Sequence, residues 1–317
     1  MNKKTFTIIL VIALALVAIV PTSVTAQDDE RVFYWISHGQ AGDPIWNAVL
    51  QGAMRAGEDL GVTVNTSFHA GDVPSHKEAF QAAIAAGADG IATSSPNPDA
   101  LADEVAAAEE AGIPVVFFNT DDPNSGRDAY VGGDLVVVGR MWASYLVDNG
   151  LVEEGDFVYM PVEVPGATYG VLETEGIASV FDPLGIEYEV VDAQYDPAQA
   201  TVNMTDYMTA NMDSVDAIIG LGDLVTANIR PVLQELGVDA GTIPAVGWGN
   251  SVDAAESVQE GYVNAAMFQY PDAQGYMPIV MLNNALDGQE IGFIVTTQGL
   301  YEADDAQIYI DLFGAAQ

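Results

Sequence analysis

One alternation constrains the fold more than anything else in this chain: a short apolar run, a polar loop, then a helical repeat, again and again. Apolar runs at 32–37, 62–68, 90–94 and 114–119 are each followed by a segment of helical periodicity. After the first run, Trp46, Val49, Leu50, Ala53, Gly57 and Leu60 follow the i, i+3, i+4, i+7 spacing that buries one helix face. Helices are also predicted over 75–86, with Phe80 and Ile84 inward, and over 99–111. Gly61, Gly87 and Gly112 stand just past these helices, where a left-handed cap is wanted. The pattern resumes after Asp134. Helices over 134–149, 167–181, 198–211, 224–236, 251–260 and 273–286 alternate with strands over 156–160, 186–191, 217–221, 243–247, 262–268 and 293–296, and a short tail follows. Near-continuous apolar strands between helices mean a parallel sheet covered on both faces. Two such blocks, with no low-complexity linker, predict an α/β chain of two doubly wound parallel-sheet lobes packed side by side.

The amino terminus follows a different grammar. Lys3 and Lys4 precede an apolar run from Phe6 to Val20, and Val24-Thr25-Ala26 offers small residues for cleavage. That is the pattern of a secretory signal peptide over residues 1–26. The run falls short of the roughly 20 apolar residues that a bilayer span needs. Cleavage leaves 317 − 26 = 291 residues, enough for two domains. The sequence contains no cysteine, so the core must hold the fold without disulfides, and no thiol is present to carry a lipid anchor. The chain is expected to be exported to the periplasm or cell exterior.

Charge excludes one class of partner. Eight basic residues stand against 46 acidic ones, a net charge of −38. Without Lys3 and Lys4 the balance is 6 against 46, or −40, and Lys77 is the one lysine left. Such a surface repels nucleic acid. Acidity with so little lysine also fits a protein adapted to high salt, where screening relieves self-repulsion.

In doubly wound sheets, ligands bind beyond the carboxyl ends of the strands. The loops at those ends cover 37–43, 94–97, 119–122, 222–223, 248–250 and 269–270. They are rich in amide, carboxylate and aromatic side chains and poor in groups that do covalent chemistry. The chain carries no GxSxG elbow, HExxH pair, Walker loop or complete GxGxxG, and GLGDLV at 220–225 lacks the third glycine. No catalytic residue, cofactor or enzymatic activity is therefore expected. The three histidines, His38, His69 and His76, lack metal-ligand spacing with a carboxylate. His69 and His76 fall in or beside a polar loop and are expected to be solvated.

Six stretches, in this order, carry a family likeness: GDPIW (42–46), AAGADGIATSSPNP (85–98), AGIPVVFFNT (111–120), GGDL (132–135), AVGWGN (245–250) and FQYPDAQGY (268–276). Together they resemble the sugar-binding solute receptors of ABC importers, the ribose/galactose type of periplasmic binding protein. The resemblance implies two lobes joined by crossovers near 131–134, 269–271 and 295–298. It assigns 27–132 plus 270–295 to one lobe and 133–269 plus 296–317 to the other. It also implies a sugar or polyol bound between the lobes and an ABC permease that receives it, the alternative being a sensory receptor whose closed form docks on a membrane sensor. A nucleoside or a signalling furanose is the alternative ligand.

Sugars offer adjacent hydroxyls and apolar ring faces, which planar carboxylates, amides and aromatic rings recognise. The resemblance points to Asp43 as a hydroxyl ligand, although Asp43 before Pro44 is also a good helix cap. It points to Trp46 as a stacking ring, although core packing would use it equally well. His38 ends the first strand at the binding edge. Asn119 stands where the family has aspartate followed by arginine, and Gln269 matches a hinge amide. Asp223 matches a strand-end aspartate. Trp248 precedes Gly249-Asn250, where Asn250 replaces a family aspartate. Tyr169 lies near the place of a missing sugar-binding arginine. The lost arginines put ribose in doubt. They also count against an amino acid, whose carboxylate needs a cationic partner.

Overall fold

The computed structural model describes residues 30–297 and 299–314, so the expected signal peptide lies outside the described residues. The chain runs β1 (Val32–Ser37), α1 (Pro44–Leu60), β2 (Thr63–Phe68), α2 (Val73–Ala85), β3 (Gly90–Thr93), α3 (Ala102–Glu110), β4 (Val115–Asn119) and β5 (Ala129–Gly132). It continues through α4 (Leu135–Asp148), β6 (Phe157–Val162), α5 (Thr168–Phe181), β7 (Glu187–Asp192), α6 (Pro197–Asn211), β8 (Ala217–Gly220) and α7 (Asp223–Glu235). It ends with β9 (Ala245–Trp248), α8 (Val252–Gln259), β10 (Ala265–Met267), α9 (Pro271–Leu286), β11 (Phe293–Val295), β12 (Leu300–Tyr301) and α10 (Ala303–Gly314).

These elements form two sheets of six strands, ordered β11-β5-β4-β3-β1-β2 and β12-β10-β9-β8-β6-β7. The pairings are parallel except β10 with β12, which is antiparallel. The chain passes from one sheet to the other three times: after β5, after β10 and after β11. Helix α9 packs on β3, β4 and β5, while α10 packs on α8 and β12. Each lobe therefore takes part of its fold from the far end of the chain.

Local chemistry explains the helix starts. Asp43, Asp72, Asp134 and Asp196 each accept a backbone N–H from the first turn of the helix that follows. An abundance of aspartate is thus spent partly on capping, which stabilises a helix by about 1 kcal/mol per cap. Gly61 closes α1 at φ 66°, as its position predicts. The central strands β3, β4, β5, β8 and β9 are wholly buried, while β2 and β7 are edge strands with exposed residues. In the first core Trp35 stacks on Phe118 with ring centroids 5.0 Å apart.

Several expectations needed correction. Residues 129–132 form β5, where only a crossover was expected, because four buried residues are too few to show a period. The expected tail contains β12 and α10. Strand β6 continues two residues past Met160, through Pro161 to Val162. His76 is not solvated: it is fully buried, with Nε2 2.8 Å from Thr93 Oγ1. His69 is half-buried and bonds to Ser67 and Ser75.

Candidate ligand-binding cleft

The carboxyl ends of both sheets face a shared cleft with about 490 Å³ of space, part of it open solvent. The first lobe contributes the loop after β1 and the end of β4. His38, buried just after β1, has Nδ1 2.7 Å from Ser94 Oγ. Its ring meets Trp46 edge-on at 4.9 Å. Burial pushes the imidazole pKa down to about 3, so the ring is neutral at physiological pH. Asp43 caps α1 through Ile45 N at 3.1 Å and also lines the cleft. Trp46 likewise joins the core cluster and the cleft wall. Asn119 takes φ 59° at the end of β4, a conformation asparagine tolerates better than most residues. Its Nδ2 donates to Gln269 Oε1 at 3.2 Å and to Gln274 Oε1 at 3.0 Å. This amide cluster ties the β4 end to the crossover before α9.

The second lobe supplies carboxyls and aromatics. Glu163 follows β6 and accepts from Tyr169 Oη at 2.9 Å and from Val225 N, in the first turn of α7, at 3.3 Å. Glu173 lies one helical turn beyond Tyr169 on α5 and accepts from Trp248 Nε1 at 2.9 Å. Asp223 opens α7, with Gly222 as the cap residue, and accepts from Asn250 N at 2.6 Å. Tyr195 follows β7 and reaches back to the first lobe, accepting from Trp46 Nε1 at 3.1 Å and standing 3.5 Å from Asp43 Oδ2.

The lobes touch along the rim as well. Thr168 N donates to Pro96 O at 3.3 Å, Asn97 Nδ2 donates to Gly166 O at 3.1 Å, and Ser95 Oγ lies 3.0 Å from Thr168 Oγ1. The lobes are therefore in contact across the mouth of the cleft. Enclosure acts on the acids. Burial, reinforced by the charges of Asp223 and Glu163, raises Asp43 to a pKa of about 7. Burial also raises Glu163, Asp223 and, well above the usual range, Glu173.

The structure brings together His38, Asp43, Trp46, Asn119, Tyr169, Asp223, Trp248 and Gln269 on the cleft wall. Asn250 is not on that wall. It is buried behind it, accepting from Gln269 N at 3.0 Å through Oδ1. Glu163, Glu173 and Tyr195 line the cleft but were not expected there. The strand-end rule that selected the other loops would have found Glu163 and Tyr195, had β6 been carried through Pro161 and the β7 loop been included. Among the described residues, no group of three or more His, Asp or Glu side chains is placed to hold a metal ion. None of the described helices is long and apolar enough to cross a membrane.

Two parallel-sheet lobes joined by three crossovers, closed over a polar and aromatic cleft, define a two-lobed ligand-binding protein. The chain belongs to the periplasmic binding protein family: the family's periplasmic binding protein domain matches residues 33–290. It is similar to the xylose/arabinose-binding protein XylF of Sulfolobus acidocaldarius, with 27% identity over 218 residues, 64% of this chain and 53% of that protein. The chain thus spans about half the length of this curated relative. Its fold is similar to a carbohydrate transporter from Acidothermus cellulolyticus in complex with myo-inositol (TM-score 0.79, 20% identity, covering 90% of this chain and 99% of that one). It is similar also to a solute-binding protein from Burkholderia graminis in complex with D-arabinose (TM-score 0.77, 21% identity, covering 87% and 96%).

Proposed function

We propose that this chain is the extracytoplasmic solute-binding protein of an ABC importer, exported through the segment 1–26 and binding a sugar or polyol between its lobes. The observation that carries this reading is the cleft itself. Planar carboxyls and amides from both lobes, Asp43, Asn119, Glu163, Asp223 and Gln269, stand among the rings of Trp46, Tyr169 and Trp248. That combination suits neighbouring hydroxyls on a ring with apolar faces. The names of the relatives, which speak of pentoses and of a cyclitol, agree with it. The lobes are taken as 27–132 plus 270–295 and 133–269 plus 296–317, with the hinge at the crossovers. A ligand that touches both lobes is held fully only when they close, so it shifts the population to the closed form. The closed form is then what a permease recognises and empties.

The test is a thermal-shift panel on the mature chain with pentoses, hexoses, polyols, nucleosides and amino acids. A ligand at 1,000 times its dissociation constant adds about 4 kcal/mol of stability. A large shift with a carbohydrate is expected, and Gln269→Ala should weaken it at least about tenfold by removing a polar contact at the hinge. Shifts confined to nucleosides or amino acids would overturn the ligand class.

A further inference from the structure

The cleft has an unusual balance of charge for a neutral ligand. Asp43, Glu163, Glu173 and Asp223 all line it, and among the described residues no lysine or arginine does. The cations of the described residues are engaged elsewhere. Arg31, Arg55, Lys77, Arg127 and Arg230 pair with Asp287, Asp272, Glu104, Asp121 and Glu256, and Arg140 reaches Ser179. His38 is neutral. An acidic lining alone could be satisfied by protons, but Glu173 adds a second observation. It is fully buried in the middle of α5, its Oε1 accepts from the Trp248 indole, and its Oε2 has no partner. A buried carboxyl oxygen without a donor costs about as much as a lost hydrogen bond. Of the described residues with such an atom, Glu173 alone lines the cleft, where a ligand donor can complete it.

The supply of donors points the same way. Both indole N–H groups on the wall are already spent, Trp46 on Tyr195 and Trp248 on Glu173. The Tyr169 hydroxyl is spent on Glu163. What the wall offers is mostly acceptors and ring surface. Glu163 is held as an acceptor by the first turn of α7 as well as by Tyr169, and these two bonds oppose the burial that raises its pKa. An ammonium group has three donors and no acceptor. It also gains from aromatic rings beside it.

We propose that the solute is an amino sugar or aminated polyol, with its ammonium group bound on the carboxyls of Glu163 and Glu173. This inference rests on the solute-receptor reading and narrows it. The remaining hydroxyls of such a ligand meet Asp43, Asn119, Asp223 and Gln269 as a neutral sugar would.

The test is calorimetric titration of the mature chain at pH 7 with paired probes. These are glucosamine, galactosamine and mannosamine against glucose, galactose and mannose, and an inosamine against myo-inositol. At least one amine should bind about tenfold or more tightly than its parent, since a charge-assisted hydrogen bond exceeds a neutral one by that order. The N-acetylated form, which is uncharged, should lose the advantage. Glu173→Gln keeps the shape and still accepts from Trp248, so it should sharply reduce the difference between amine and parent. If that variant does not fold, Glu163→Gln serves the same purpose. Parent sugars that bind as tightly as their amines, or an amine preference unchanged in both folded variants, would overturn the inference and leave the receptor reading standing. Silence from amines and neutral carbohydrates alike would overturn both.

Discussion

His76 sits on the buried face of α2 with a neutral ring. Thr93 Oγ1 donates to Ile36 O at 3.1 Å, so it accepts from His76 Nε2–H, and Nδ1 is left with a lone pair and no partner. Burial, then the nearby His38 and His69, lowers its pKa from 6.5 to about 2. The unfolded chain binds a proton here between pH 2 and 6.5, and the folded chain does not. The stability that depends on this neutral ring is complete above pH 6.5 and is lost as pH falls toward 2. Asp43 slopes the other way. Its pKa rises from 3.8 to about 7, so its penalty is full above pH 7 and is relieved as pH falls toward 3.8. His76→Gln keeps a donor for Thr93 and removes the titration. Below pH 6.5 its stability relative to the parent should improve by about 1.4 kcal/mol per pH unit, as measured by urea unfolding at several pH values. A parallel pH profile for variant and parent would show that His76 can be protonated in the folded state. Nothing in the sequence revealed this environment. His76 falls three residues after Val73 in a weakly amphipathic helix, and its neighbour Thr93 comes from a strand 17 residues away. By contrast, the places of Asp43 and Trp46 on the cleft wall were legible because they follow from the strand–turn–helix geometry in which the two residues lie.

Helix pairs set the shape of each lobe. Helices α1 and α9 cross so closely that a Cβ on Gly275 would overlap the Val49 carbonyl oxygen, and one on Gly52 would overlap that of Asp272. The second lobe repeats the device. A Cβ on Gly139 would overlap the Glu173 carbonyl oxygen, and one on Gly176 that of Val136, where α4 meets α5. Neither obstacle is a flexible side chain, so relief requires the helices to separate. Gly275→Ala and Gly176→Ala should each cost about 1–3 kcal/mol through overpacking. Gly292→Ala, which meets open space, should stay within about 0.5 kcal/mol. Chemical denaturation of the three variants checks this, and equal midpoints would show that the helix contacts yield freely. The long helices could be read from their period, and their caps from aspartate and glycine. The short β5 and β12 could not, because pairing across the sheet rather than any local pattern makes them strands. Glu163 was lost for the same reason. Its strand includes a proline that local preference places outside a sheet.

At the scale of the whole molecule, charge opposes compactness. Formal charges sum to −38, and the six cations among the described residues lie mostly in pairs within a lobe, such as Arg55 with Asp272 at 2.7 Å and Arg230 with Glu260 at 2.7 Å. Exposed pairs of this kind contribute about 0–1 kcal/mol each and weaken with salt. Repulsion among the many unpaired carboxylates weakens with salt too, and there are far more of them. Closing the cleft gathers still more acid, since Asp43 of one lobe comes under the charges of Asp223 and Glu163 of the other. Raising sodium chloride from 0.1 M to 1 M shortens the screening length from about 10 Å to about 3 Å. The thermal midpoint should rise across that range, because the many repulsions relieved outweigh the few attractions lost. Carbohydrate affinity should rise with it, or hold, since screening eases closure. Affinity for an aminated ligand should fall less than a surface ion pair would, because its partners Glu163 and Glu173 are buried. The measurement is a salt series of melting curves with and without ligand, with sucrose as an uncharged control for solvent exclusion. A midpoint that falls with sodium chloride would mean that the few arginine pairs, rather than the carboxylate field, govern the stability of the closed chain.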